Sequence, residues 1–320
     1  MFIFFVIYFL SWVVAFKVFG LHVSKLGDAL KYGRGIIIYV LDEQALTTNI
    51  FTVFSYIGLS PLILGLIFAY YISHFMVNNL VLNKSNIFIL LCIINPFVIQ
   101  YLIYPSKEFL LACGTVLIYK FRNHTLLCTI FSILTFLIRP TYFIAVVVFF
   151  IIYKKGLFGI GIKAYSILIA VFTLLGLLYL ENSGQVESLF IYIENLFLPY
   201  KAANTNRFWL PSVTTIFSYE FIIWISVGFY TIFFGFLFDA PNIIIRFLVI
   251  IAGIGKILLI YKICKIRLVY GYLWFSAFVI YGLPLSIVNV GSSMRYTIPI
   301  TIIMLYSYTI MRKEIIDERR

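Results

Sequence analysis

Residues 105–153, PSKEFLLACGTVLIYKFRNHTLLCTIFSILTFLIRPTYFIAVVVFFIIY, decide the fold class of this chain. They contain three apolar runs, at 108–121, 125–138 and 140–153, and most of the local charge lies where the runs meet. Prolines open the first and third runs, and proline fits the first turn of a helix better than its middle. The stretch therefore predicts three short helices. Because a bilayer core takes about 20 helical residues, we expect tilted half-spans packed in the protein interior.

The composition of the whole chain favours a membrane protein. Of the 320 residues, 63% are hydrophobic and 11% are charged, whereas about 25% of a soluble domain is charged. We predict an all-α fold, a polytopic integral membrane helix bundle of about 10–11 hydrophobic segments, some short or re-entrant. Residues 1–320 would form a single transmembrane domain, with 181–214 as its largest extracytoplasmic loop. The other candidate spans are about 2–19, 50–73, 86–104, 163–180, 216–238, 241–261, 268–288 and 296–311.

The distribution of basic residues indicates how the chain is oriented in the membrane, and it does not indicate a nucleic-acid partner. The net charge of +12 is spread over short loops between spans, as expected where cytoplasmic loops are enriched in lysine and arginine. Since Met1–Phe16 has no basic region before it and no cleavage site after it, we expect a retained first span that starts inside. Two topologies then fit the C-terminal half. Either 216–238 is re-entrant, or 125–153 is one fused helix kinked at Pro140.

Four groups of ionisable residues at span ends are candidate site residues, because charges in a membrane are costly and mark function by default. Asp28 follows the first span, and Lys107 and Glu108 fall in the first turn of a helix. Arg139 and Arg295 each adjoin an apolar run. We predict Lys107, Arg139 and Arg295 as diphosphate ligands, and Asp28 or Glu108 as the catalytic carboxylate. The plainer alternatives are a paired loop aspartate, a helix cap and arginines that anchor span ends.

Aromatic and basic residues near the outer face are candidate glycan contacts. The segment 181–214 mixes aromatic side chains with Asn, Glu, Lys and Arg, and Ser188–Leu198 fits an amphipathic helix lying on the bilayer. The predicted glycan-binding residues are Tyr32, Tyr200, Lys201, Arg207 and Trp209. The sequence has no motif for a metal or a nucleotide, so we expect no cofactor.

At these residues the chain resembles the oligosaccharide repeat-unit polymerases of the O-antigen and capsule pathways (Wzy type). The matching elements are Gly27-Asp28-Ala29 with Tyr32, the run Pro105–Glu108, Arg139-Pro140, and Arg295-Tyr296 with Pro299. The resemblance implies a multi-pass enzyme of the bacterial cytoplasmic (inner) membrane. Such an enzyme joins undecaprenyl-diphosphate-linked oligosaccharides into polysaccharide at the periplasmic face, without a metal, alongside a flippase and a chain-length regulator.

Three other functions remain open from the sequence. A GT-C-type glycosyltransferase using a polyprenyl-phosphate sugar also has an early aspartate, here Asp28. A flippase or transporter of lipid-linked oligosaccharides tends to place its ionisable residues near the midplane, with broken helices and inverted repeats. If the chain is instead a structural or scaffold membrane protein, Arg139→Ala and Arg295→Ala should leave its function unchanged.

Overall fold

The structure is a computed structural model, and it describes residues 6, 9–10, 13, 37–39, 43–59, 63–68, 70–71, 106–157, 160–188, 190–191, 213–234, 243–288 and 296–318. These residues are mostly helical, which confirms the all-helical expectation at that level. The α-helices bounded within them are α1 (Glu43–Tyr56), α2 (Lys107–Lys120), α3 (Thr125–Ile138), α4 (Phe143–Tyr153), α5 (Ile162–Asn182), α6 (Tyr219–Phe234), α7 (Ile243–Ile266), α8 (Leu268–Val288) and α9 (Ile298–Glu318). A two-residue antiparallel pair, β1 (Gly156–Leu157) and β2 (Ile160–Gly161), joins α4 to α5.

Within the part of the chain that the structure describes, two helical stretches are long and apolar enough to cross a membrane, Ile162–Asn182 and Arg246–Ile266. Helix α5 has no buried residue, and its Phe172 side chain is 70% exposed. A soluble monomer rarely exposes so continuous an apolar surface. This surface therefore fits contact with lipid or with another apolar partner.

The three short helices of the central stretch are present as predicted, and they fold back on one another. Helix α3 ends at Arg139, whose extended backbone (φ −155°, ψ 100°) leads into a 3-10 turn, Pro140–Tyr142, and then α4. The Tyr153 hydroxyl, at the end of α4, hydrogen bonds to the side chain of Asn123, just before α3. Since the far ends of α3 and α4 meet, the chain reverses at Arg139. The alternative of one fused 125–153 helix is therefore wrong.

Helix α1 differs from the span predicted at 50–73. It starts at Glu43, seven residues before the predicted span, and it ends at Tyr56 before a turn in which Gly58 has φ +77°. Thr47, Thr48 and Thr52 are buried in it. Helical residues resume at 63–68 and 70–71. A positive φ suits glycine and stops a helix, which explains why the apolar run does not form one span.

One end of the bundle gathers basic residues beside tyrosines. Tyr119, near the end of α2, stacks on Tyr306 of α9 with ring centroids 4.2 Å apart. The Arg122 guanidinium lies 4.5 Å from the Tyr119 ring, and Lys262 of α7 lies 6.0 Å from the Tyr308 ring. We call this the basic end. It also includes Lys120 at the end of α2, Lys154 after α4, and Lys265 and Arg267 at the end of α7. Under the topology with a re-entrant 216–238, the sequence predicts that these residues share the cytoplasmic face.

The two ends of the predicted loop 181–214 are held together. The Glu181 carboxylate accepts hydrogen bonds from the Thr215 hydroxyl at 2.5 Å and from the Ile216 backbone N–H at 2.9 Å. Phe190 packs edge-on against Trp224 of α6. Helical residues occur at 186–188 and 190–191, inside the predicted Ser188–Leu198 region, whose remainder lies outside the described residues. Residues 235–242, where a re-entrant 216–238 would turn back, also lie outside them.

Candidate functional site

Glu108 is buried in the first turn of α2. The Ser106 side chain caps this helix by accepting a hydrogen bond of 3.0 Å from the Phe109 backbone N–H, as the sequence predicted. A carboxylate is stabilised near the positive end of a helix. Lys107 is half-buried beside it. The cap and the helix end therefore fix a negative charge inside the bundle.

Arg139 meets this carboxylate from the reversal between α3 and α4. Its Nη2 atom lies 3.3 Å from Glu108 Oε1, and the two side chains are 12% and 2% exposed. Arg139 also anchors the turn through its backbone, whose N–H donates to Thr135 O and whose carbonyl accepts from the Tyr142 N–H. Burying two charges is costly unless they pair. The structure thus joins a predicted diphosphate ligand to a predicted catalytic carboxylate.

Two tyrosines complete the surroundings of Arg139. The Tyr296 ring lies 4.7 Å from its guanidinium carbon, within the range of a cation–π contact. The Tyr281 hydroxyl of α8 is buried close to both Arg139 and Glu108. Neither that hydroxyl nor Arg139 Nη1 has a well-formed hydrogen bond to a described residue. Buried polar atoms of this kind call for an explanation, and a bound polar group would supply one.

Tyr142 fixes the reversal to the start of α9. Its hydroxyl lies 2.5 Å from Thr115 Oγ1 of α2 and donates to the Pro299 carbonyl at 3.1 Å. Its ring packs edge-on against Tyr281, with centroids 5.5 Å apart. The Arg139-Pro140-Thr141-Tyr142 motif and the segment Tyr296–Pro299 therefore adjoin, although they lie more than a hundred residues apart in the chain.

Lys256 is a site residue that the sequence analysis missed. It lies inside α7, is 3% exposed, and donates to the Thr297 hydroxyl at 2.7 Å and to the Ile232 carbonyl at 3.3 Å. Thr297 follows Tyr296, so Lys256 binds the residue beside the one that covers Arg139. The signal was available, because a lysine in the middle of an apolar span is costly and marks function by default.

The cluster lies about midway along α7 and at the start of α9. At a rise of about 1.5 Å per residue, Lys256 is about 15 Å from the Ile266 end of α7 and about 20 Å from its Ile243 end. Glu108 is separated from Lys120, at the basic end, by about 18 Å of helix. The predicted half-spans therefore end inside the bundle. The sequence predicts that Glu108 and Arg139 lie at the outer membrane edge, and that placement stays a prediction.

The remaining predicted site residues are not described by the structure. Asp28 and Arg295 lie outside the described residues, although Arg295 directly precedes Tyr296 in the sequence. The same holds for all the predicted glycan contacts, which are Tyr32, Tyr200, Lys201, Arg207 and Trp209. Their roles stay predictions.

The described residues contain no group of three His, Cys, Asp or Glu side chains placed to hold a metal ion. Comparison with known proteins adds no relative. No protein-family model matches the chain, and neither does any curated protein or solved structure.

Proposed function

We propose that this chain is a polytopic membrane enzyme that polymerises oligosaccharide repeat units carried on undecaprenyl diphosphate, in the bacterial cytoplasmic membrane. The observation that carries the proposal is the buried Arg139–Glu108 pair at the tip of a helical reversal. Ionisable residues inside a membrane bundle are functional-site hypotheses by default. The products would be O-antigen or capsular polysaccharide, and a flippase and a chain-length regulator are the proposed partners.

The described helices support a membrane location. The side chains of α5 are mostly apolar and none of them is buried, and α7 is long and apolar enough to span. The basic end provides the lysines and arginines that cytoplasmic loops carry. We place this end in the cytoplasm, so that the Arg139 cluster opens toward the periplasm.

Arginine is well suited to hold the diphosphate of the donor. Its planar guanidinium matches phosphate oxygens with two parallel N–H donors. In the described state Nη2 faces Glu108, while Nη1 has no hydrogen bond to a described residue. A donor diphosphate would compete with Glu108 for this guanidinium. Lys256 would add positive charge through its contact with Thr297, and Arg295, which directly precedes Tyr296 in the sequence, would add a further cation.

Displacement of Glu108 links binding to the proposed reaction. The acceptor sugar hydroxyl attacks the anomeric carbon of the donor glycan, and the carbon–oxygen bond to the diphosphate breaks. The bonding electron pair leaves with the diphosphate, which the cations stabilise. The hydroxyl proton passes to a carboxylate, either Glu108 once released from Arg139 or Asp28. No other reactant is needed.

The test is elongation by the purified full chain in detergent micelles, with undecaprenyl-diphosphate-linked repeat units as the only substrate. We expect the wild type to lengthen them without an ion gradient. Arg139→Ala should abolish lengthening, and Arg139→Lys should reduce it because lysine lacks the planar pair of donors. Arg122→Ala, at the basic end, is the matched control and should stay active. Wild-type lengthening by Arg139→Ala would remove the proposed site.

A GT-C-type transferase is distinguished by its donor. That enzyme would transfer a single sugar from a polyprenyl monophosphate and would not lengthen diphosphate-linked repeats. In cells, loss of the polymerase should leave single repeat units on lipid A-core. Loss of a transferase that builds the unit should remove or shorten the unit itself.

A flippase or transporter is the second candidate, and the depth of the cluster favours it. Transporter sites tend to lie near the midplane at broken helices. Lys256 lies midway along α7, and Arg139 and Glu108 lie at the α3–α4 reversal and the start of α2. Reconstitution in vesicles separates the two functions. A transporter moves lipid-linked oligosaccharide between leaflets and leaves its length unchanged.

A further inference from the structure

An apolar groove of about 490 Å³ lies near the basic end, where α5, α7 and α8 meet. Its lining includes Ser166 of α5, Ile260 and Cys264 of α7, and Leu268, Tyr272 and Phe275 of α8. The groove is open to the surface, because Leu268 is 74% exposed and Tyr272 and Phe275 are partly exposed. It lies well away from the Arg139 cluster along the helices, since Cys264 is about 12 Å further along α7 than Lys256.

Three exposed cations lie within three residues of groove-lining residues in the sequence, and Lys265 Nζ lies 4.9 Å from the ring of Tyr261, one residue after the lining residue Ile260. Lys163 lies one turn before Ser166, whose hydroxyl donates to the Lys163 carbonyl at 2.7 Å. Lys265 follows the lining residue Cys264, and Arg267 precedes the lining residue Leu268. Tyr270 holds Arg267 near the turn between α7 and α8, since Arg267 Nη1 donates to its hydroxyl at 3.4 Å.

Negative charge is absent from α7, from α8 and from the half of α5 that lines the groove. The sequence contains no Asp or Glu from 109 to 180 or from 243 to 313. Glu181, at the other end of α5, is about 22 Å of helix away from Ser166. An apolar groove with a cationic rim is complementary to a molecule with an acyl chain and an anionic head.

We propose that this groove binds an anionic phospholipid, with one acyl chain along the apolar lining and the headgroup phosphate at Lys163, Lys265 and Arg267. Basic pockets between membrane helices are recognised sites for anionic headgroups, and each nearby lysine or arginine strengthens binding to an anionic membrane by a factor of about five. The inference rests on the proposed membrane location of the bundle and not on the proposed reaction, so it survives if no polymerase activity is found.

The test is the thermal unfolding of the full chain in neutral detergent during titration with dioleoylphosphatidylglycerol or dioleoylphosphatidylcholine. We expect the anionic lipid to raise the melting temperature more than the zwitterionic one. The triple variant Lys163→Gln, Lys265→Gln, Arg267→Gln should bind dioleoylphosphatidylglycerol about fivefold more weakly for each charge removed. The matched triple variant Lys120→Gln, Lys154→Gln, Lys155→Gln changes the same net charge at the same end and should keep the wild-type response.

A second variant, Ser166→Phe, separates the acyl-chain contact from the charge. It fills the groove and keeps all three cations, so native mass spectrometry should show fewer dioleoylphosphatidylglycerol molecules retained than in the wild type. If a triple variant fails to fold, Arg267→Gln alone replaces it. Equal responses to the two lipids would overturn the proposal, as would equal losses in both triple variants. Retention of a polyprenyl lipid in preference to the phospholipid would also overturn it.

Discussion

At the residue scale, substitutions in the Arg139–Glu108 pair should affect thermal stability and activity differently. Removing one partner leaves a buried charge and costs about 3–5 kcal/mol, whereas replacing both by apolar residues is often neutral. We therefore expect Arg139→Met and Glu108→Leu each to lower the melting temperature in detergent, and the double variant to recover most of that loss. The double variant should nevertheless remain unable to lengthen lipid-linked repeats. If it regained activity together with stability, the pair would be purely structural.

Lys256 gives the second residue-scale prediction. Lys256→Met keeps most of the side-chain volume and removes a buried charge, so the melting temperature should stay near that of the wild type or rise. Activity should fall, because Lys256 holds Thr297 beside the tyrosine that covers Arg139. Thr297→Val should act in the same direction and Thr297→Ser should retain activity, since serine keeps the hydroxyl. Lys262→Met, in the same helix at the basic end, is the control.

At the element scale, close helix packing depends on particular glycines. A Cβ atom added at Gly253 would lie 2.8 Å from the Phe233 backbone oxygen and 2.6 Å from the Phe234 ring. Backbone cannot yield as a side chain can, so we expect Gly253→Ala to destabilise the bundle by about 1–3 kcal/mol in thermal unfolding. Gly176→Ala in α5 meets nothing within 4 Å and should be neutral or slightly stabilising. Equal effects of the two substitutions would contradict this account of α6–α7 packing.

The sequence predicted most element types and fewer of the contacts. Proline and arginine at 139–140 marked the break between α3 and α4, because proline cannot continue a helix. The start of α1 at Glu43 was missed, because the polar residues Thr47, Thr48 and Asn49 precede the apolar run from which the span 50–73 was predicted. Threonine hydroxyls are nevertheless easily satisfied inside a helix. The pairing of Glu108 with Arg139 depends on the direction of two helices. A composition pattern does not contain that information.

Lys256 was missed for a different physical reason. A single lysine hardly changes the average hydropathy of a span of about 20 residues, so a span search passes over it. Its partner Thr297 is forty-one positions away, and only the packing of α7 against α9 brings the two together. Charges inside predicted spans therefore need as much attention as those at span ends.

At the scale of the whole molecule, the arrangement of charge predicts a single orientation. The contacts of Tyr119 with Tyr306 and of Lys262 with Tyr308 place the ends of α2 and α7 together beside the middle of α9. In a chain whose four native cysteines are replaced, we expect cysteines at exposed Lys154 and Lys265 to react with a membrane-impermeant maleimide from the same side, the cytoplasm. A cysteine at Lys107 should react only from the other side.

The maleimide labelling also tests the packing of the helices, because it shows whether α4 and α7 run in the same direction across the membrane. Lys154 directly follows α4, the short helix that begins after the reversal at Arg139. Lys265 lies in α7, the helix that also contains Lys256. If these two positions reacted from opposite faces, α4 and α7 would not run in the same direction. Lys256 and Arg139 would then not meet at the segment 296–299, and the proposed diphosphate site would lose the geometry on which it depends.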